Sequence, residues 1–355
     1  MPTLLQRLNA DGAAAALPLL LLGMLAAFGT LLVTPLIPQH GLADFRAQEL
    51  VRFGWENRAW ALAGAGLVMP ILALLMPQRW LLQLGLLGLA IGTALSAAKL
   101  LWGFPLMALS SGVLLSSTLL AVANHCDKRP MALAARVALF FAGYQLGAGL
   151  SEMMVETSPL PAMGCTIALA LGLLWSSRSW PTEVAQRGPV RTVPWLALLP
   201  IAALLAYWQL PYLALQPWAP ENASLPESVW ADTMTVYLMA PLALLMAALW
   251  WRARWVWPHL IVLALLVAAT VLLSNQPPAL LPQPLALLTM VINASGLWVK
   301  ALLVGLSLTV LPKPWRPLWL VLILFLPKLL LVGWTLTLQH GLLWHHVVGM
   351  LMFWD

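Results

Sequence analysis

Charge is the first thing this sequence lacks. Of its 355 residues, 18 are Lys or Arg and 12 are Asp or Glu, 8% in all, whereas soluble globular domains carry about 25%. Set beside 62% hydrophobic residues, that scarcity excludes a water-soluble fold, which could not hide so much apolar surface. Cysteine is nearly absent as well. Cys126 and Cys165 form no CxxC pair, so neither a disulfide framework nor a thiolate metal centre is indicated, and both read as small apolar fillers. No GxSxG, HExxH, P-loop or paired inner carboxylates occur, which leaves hydrolase, zinc-peptidase and nucleotide-driven chemistry without a signature. His340, His345 and His346 lack the i, i+4 spacing of a zinc helix, and His259 sits at the end of an apolar run rather than deep within it. They read as interface histidines, and no cofactor is expected. The apolar runs do not alternate with polar residues, which excludes a β-barrel.

What is present is a series of apolar runs. A bilayer core of about 30 Å takes roughly 20 apolar residues per helix, and the chain accommodates about twelve such spans. The first run, about Ala16 to Ile37, is too long for a signal-peptide core and has no cleavage site. A mixed-charge segment, Gln39 to Arg58, reads as an amphipathic lead into span two, Ala59 to Met76. The spans that follow are Leu81 to Leu101, broken by Gly103-Phe-Pro105; Leu106 to Ala123; Met131 to Met154; and Pro161 to Trp175. Beyond a polar linker lie Val193 to Leu215, Asp232 to Leu249, Val256 to Leu273, Leu285 to Leu311, Leu318 to Leu338 and a short last run, Gly341 to Trp354. Many of the 20 tryptophans crowd the run ends, as an aromatic belt does; Trp80, Trp102, Trp250, Trp251, Trp255 and Trp319 are examples.

Charge tests the count. With a cytoplasmic N-terminus, alternate turns hold Arg79; Lys128 and Arg129; Arg178, Arg187 and Arg191; Arg252 and Arg254; Lys313 and Arg316. The opposite side holds only Arg46, Arg52 and Arg58, each near an acid. This is the positive-inside pattern, and a missed span would break it. The net charge of +6 is therefore spread through inter-helix turns rather than gathered into a nucleic-acid patch. In each half a first span leads to a long outer loop, and spans two and three meet through a tight Arg/Trp turn. Six spans (1–177), a linker (178–192) and six more (193–355) match the parallel repeats of transporters. The expected fold class is an all-α polytopic membrane protein of two six-helix bundles, both termini cytoplasmic. The Ala/Leu/Trp/Pro/Arg-rich composition suggests a bacterial inner membrane.

The turn His125-Cys-Asp-Lys-Arg-Pro130 leads into the glycine-rich stretch Ala142-Gly-Tyr-Gln-Leu-Gly-Ala-Gly149. There, and in its overall architecture, the chain resembles the major facilitator superfamily. Members often pair a basic turn with a glycine-rich fifth helix. The family's loop between helices two and three usually carries glycines, an aspartate and basic residues; here Met76-Pro-Gln-Arg-Trp80 lacks the aspartate and the glycines of that latch. The resemblance implies a central cavity at mid-membrane and alternating access by rocking of the halves.

Candidate chemistry rests on polar residues inside apolar runs. Lys300 and Lys328 each lie near the middle of one, where a lysine costs about 2.5–3.5 kcal/mol on insertion scales. Asn293 and Lys300, seven apart, share a helix face. Both lysines can bind an anion in the cavity; the alternative is structural, Lys300 pairing with a carboxylate or carbonyl and Lys328, beside Pro327, snorkelling. Gln145 and Glu152 are likewise seven apart on span five. Glu152 is a candidate proton-coupling carboxylate or, alternatively, a solvated helix-end acid. Lys99 reads as snorkelling, and Tyr207, Trp208, Gln209 and Tyr212 as an interface cluster. The expected function is proton-coupled secondary transport of a small organic anion or metal-chelate. Lys300, Lys328, Asn293 and Gln145 would bind it. The alternative is a non-transporting membrane subunit that scaffolds a partner protein.

Overall fold

The structure, a computed structural model, describes residues 4–9, 13–31, 60–61, 63–100, 102–125, 129–153, 160–178, 240–262, 264–265, 298 and 300–322. Among these residues every regular element is helical. In the first half they are α1 (Leu4–Asn9), α2 (Ala13–Leu31), a π turn (Gly64–Val68) running into α3 (Met69–Leu75), α4 (Gln78–Ala97), α5 (Gly103–His125), α6 (Pro130–Met153) and α7 (Leu160–Ser176). In the second half they are α8 (Ala240–Arg252), α9 (257–262), α10 (Lys300–Val310) and α11 (316–322). By length and composition α4, α5 and α6 are each long and apolar enough to cross a membrane, and α10 is one of several shorter apolar helices. The expected spans seven and twelve, the segment Gln39 to Arg58, the linker beyond Arg178 and the cluster Tyr207 to Tyr212 lie outside the described residues.

Boundaries follow local chemistry. Pro77 caps α4 in extended conformation, and Pro130 opens α6 at a position where its missing N–H is no loss. One expected boundary is corrected. Span three ends at Ala97, not Leu101, and Gly103-Phe-Pro105 begins the next helix instead of breaking the last one. The stop is made at Lys99, whose φ of 61° is left-handed. Its N–H donates to the Ser96 carbonyl at 3.0 Å and that of Leu100 to Leu95 at 2.9 Å, the paired bonds of a Schellman end. Pro105 then falls in a first turn, where proline is tolerated. The π turn precedes Pro70, whose ring removes one ladder bond from α3.

Packing inside a membrane cannot rely on water exclusion, so close backbone approach takes its place. On α6, Gly143 and Gly147 face α2: a Cβ at Gly143 would run into the Leu20 backbone and one at Gly147 into Met24. Gly23 of α2 meets Phe140 and Tyr144 in return. Buried serines add bonds between helices: Ser111 of α5 donates to the Ala26 carbonyl, and Ser116 to that of Ala65 at 3.3 Å. The result is layered. Helices α5, α6 and α10 are buried almost throughout, whereas α3 and α7 expose Leu74, Leu75, Leu171 and Trp175 along the rim.

Several contacts gather alternate turns at one end of the bundle, here called the basic-turn end. Gln83 of α4 donates to the Ser177 hydroxyl after α7 at 3.0 Å, and Asn124 of α5 donates to Gln78 of α4 at 3.2 Å. Arg316, the first residue of α11, reaches Asn124 as well. This is the grouping of turns that the charge pattern predicts. The aromatic belt is partly corrected. Trp80, Trp102 and Trp255 are exposed, but Trp250 and Trp319 are buried. Trp250 tolerates burial because its indole N–H donates to Nδ1 of His259 at 3.2 Å.

Candidate functional site

Lys300 opens α10, the most enclosed of the described helices of the second half, and is itself half-buried. It stands twelve residues before Pro312 at the basic-turn end, about 18 Å along a helix and so near the middle of a bilayer core. Helix α10 meets α6 at Gly305, where a Cβ would lie 2.6 Å from the Ala134 Cα. That contact fixes the register of two antiparallel helices, since α6 begins and α10 finishes at the same end. Counted outward from it, Lys300 is level with Leu139, and Gln145, also half-buried, lies about 9 Å further from the basic-turn end. Glu152 falls in the last turn of α6, near the opposite end. Asn293 and Lys328 lie outside the described residues.

Several side-chain donors are buried without a hydrogen-bond partner among the described residues, two of them on inner helices. These two are the Thr118 hydroxyl on α5 and the Trp298 indole N–H just before α10. Each sits on one of the innermost spans, where an unsatisfied donor is costly. Among the described residues no group of histidines, cysteines and carboxylates is arranged to hold a metal.

Residue-type reasoning passed over two features. One is the hydroxyl-rich middle of α5, with Ser110, Ser111, Ser116, Ser117 and Thr118 all buried; the signal was a cluster of serines inside an apolar run. The other is Arg136, 1% exposed on α6. It could have been found by the rule that singled out Lys300, because it is a cation seven residues into a span. Its Nε donates to the Leu8 carbonyl of α1 at 3.2 Å, Nη1 to Ala132 of its own helix at 3.4 Å, and its guanidinium lies 4.6 Å over the Trp251 ring. Arg316 is similar. It is half-buried, and donates from Nε to Leu311 at 3.1 Å and from Nη1 to the Ala123 carbonyl and to Asn124 Oδ1 at 2.7 Å. Burial pushes its guanidinium below its usual range, yet an arginine starts so high that it stays cationic at neutral pH.

No protein-family model matches the chain, and no curated protein matches it. Its structure is similar to the crystal structure of the human organic anion transporter MFSD10 (TETRAN), with a TM-score of 0.59, 18% identity, and 94% of each chain covered. At that identity the likeness concerns the fold. Nearly full coverage in both directions agrees with the arrangement that the turn His125–Pro130 and the glycine-rich fifth span suggested. The chain thus shares its fold with that structure, and three of its described helices are long and apolar enough to cross a membrane.

Proposed function

We propose that this protein is a proton-coupled secondary active transporter of a small organic anion or metal-chelate, working by alternating access between bundles 1–177 and 193–355. The observation that carries the reading is Lys300, a half-buried cation at mid-depth on an enclosed helix of a transporter fold. A lysine there is expensive, and an anion arriving in the cavity offsets part of that cost. That the similar structure belongs to an organic anion transporter agrees with this choice of cargo.

In this reading Lys300 and Lys328 bind the anion and Asn293 and Gln145 orient it. The axial offset between Lys300 and Gln145, about 9 Å, suits an elongated anion whose charged end meets the lysine. Thr118 and Trp298 supply further donors from the innermost spans. Glu152, near the far end of α6, is the candidate proton carrier, since burial raises a glutamate toward neutral pH. The protein would sit in a bacterial inner membrane with both termini in the cytoplasm. The test is uptake of organic anions into proteoliposomes by the wild type and Lys300→Ala. A folded variant that has lost uptake supports the reading; one that transports at the wild-type rate refutes the role of Lys300.

A further inference from the structure

Helices α4 and α7 pack side by side, and their basic-turn ends are tied together. The Gln83 amide donates to the Ser177 hydroxyl at 3.0 Å and to the Ser177 carbonyl at 3.4 Å. Helix α4 begins and α7 finishes at that end, so the bond sets a basic residue on either side of one seam. Arg79, half-buried, stands four residues before Gln83 on the same face of α4, about 6 Å nearer the end. Arg178, exposed, follows Ser177 directly, and its guanidinium lies 4.0 Å over the Trp175 ring. Trp80 and Trp175, one from each helix, are both exposed. Deeper in the bilayer each helix turns apolar residues outward. Leu84, Leu87 and Ile91 continue the face that Trp80 opens on α4, and Leu171 lies one turn before Trp175 on α7. Gly172 and Gly164 leave the outer side of α7 bare, since a Cβ at either would meet nothing within 4 Å. The linker after Arg178 adds Arg187 and Arg191 against one acid, Glu183.

We propose that the α4–α7 seam at the basic-turn end is a binding site for an anionic phospholipid, its headgroup phosphate held by Arg79 and Arg178 and its acyl chains laid along Leu84, Leu87 and Leu171. The chemistry of each part fits. A guanidinium matches a phosphate with two parallel N–H donors and stays charged. One that stacks on an indole by its face keeps its N–H edge for an oxygen acceptor, and the stack holds Arg178 at the seam. Basic pockets between helices on the cytoplasmic side hold such headgroups, and exposed tryptophans sit at headgroup level. The apolar face distinguishes a lipid from a soluble phosphate. The two guanidiniums stand at the head of an outward-facing strip of leucines, where a soluble anion would leave the strip unused and a phospholipid covers both. The tie between Gln83 and Ser177 keeps the two helices at a fixed spacing, so the site is formed before lipid arrives. The proposal needs the helices to lie in a membrane, and it stands whether or not the protein moves an anion.

The test uses the full chain with Cys126→Ser, Cys165→Ser and Leu84→Cys, a small fluorophore being attached at the exposed position 84. The protein is reconstituted into vesicles of equal parts phosphatidylglycerol and phosphatidylcholine, in which one lipid or the other is brominated to quench the label. Quenching by brominated phosphatidylglycerol should exceed that by brominated phosphatidylcholine about twofold or more. Arg79→Gln with Arg178→Gln should bring the two to parity. Arg252→Gln with Arg254→Gln removes the same charge from exposed positions in another turn and should leave the excess in place. Should the first pair not fold, Trp175→Leu serves alone, because it takes away the stack that holds Arg178, and the excess should fall by about half. Parity in the parent protein overturns the site. An equal fall with the Arg252 and Arg254 pair also overturns it, since the attraction would then be diffuse. Loss of the excess on adding millimolar glycerol phosphate would assign the guanidiniums to a soluble phosphate and overturn the lipid.

Discussion

The guanidinium of Arg316 donates to the main-chain carbonyl of Ala123, 193 residues earlier in the chain. A charged side chain from the second half thereby satisfies one of the last carbonyls of a helix in the first. Helix ends leave four such carbonyls without intrahelical partners, and a cation near them also complements the helix dipole. The contact therefore does for α5 locally what a capping residue would do, and joins the two halves in doing so.

Lys99 is the first place where stability can be changed predictably. Its left-handed φ of 61° suits glycine better than any residue with a Cβ. Lys99→Gly should stabilise the protein by about 1 kcal/mol, and Lys99→Val, β-branched, should destabilise it by at least as much. Thermal melts in detergent of the three proteins would order them Gly above Lys above Val.

Glycines in this fold divide into two classes that substitution should separate. At Gly143 any side chain meets the Leu20 backbone, whereas at Gly164 and Gly172 of α7 nothing lies within 4 Å. Gly143→Val should cost several kcal/mol or abolish a monodisperse product, because backbone cannot move aside as a side chain can. Gly164→Ala and Gly172→Ala should be neutral or stabilising by up to about 1 kcal/mol, the ordinary gain of alanine over glycine within a helix. Size-exclusion profiles and melting temperatures distinguish these outcomes.

Trp251 and Trp255 are four residues apart and should behave differently. Trp251 is half-buried with Arg136 over its ring; Trp255 is 73% exposed. Trp251→Leu should destabilise by about 1 kcal/mol more than Trp255→Leu, the scale of a partly desolvated cation–π contact. Equal melting temperatures for the two would mean that the Arg136 stacking contributes nothing measurable.

Much of this architecture was legible in the sequence, for physical reasons. Low charge and unbroken apolar runs dictate membrane helices, and the basic turns dictate which ends lie together. The contacts of Gln83 with Ser177 and of Asn124 with Gln78 agree with that grouping. Gly143 and Gly147 could be read as packing residues because only close helix approach explains such spacing in a span. The end of α4 could not be read. A lysine in the left-handed conformation carries no compositional sign, and the glycine and proline just beyond it looked like the break. Trp250 and Trp319 were misplaced in the belt because a tryptophan at a span end looks the same whether it turns toward lipid or inward; Trp250 turns inward to His259. Arg136 was overlooked because it stands near a basic turn, where one more cation attracts no notice. Lys300 stood out because it lies near the middle of an apolar run.

Anion transport dependent on Lys300 is the central claim, and uptake tests it most directly. Purified protein in proteoliposomes would be offered radiolabelled mono-, di- and tricarboxylates under an imposed proton gradient, with Lys300→Ala alongside at matched reconstitution. The account predicts that the wild type accumulates at least one of these anions above protein-free vesicles and that the variant's uptake falls at least tenfold. No accumulation by the wild type, or wild-type rates from Lys300→Ala, would contradict it.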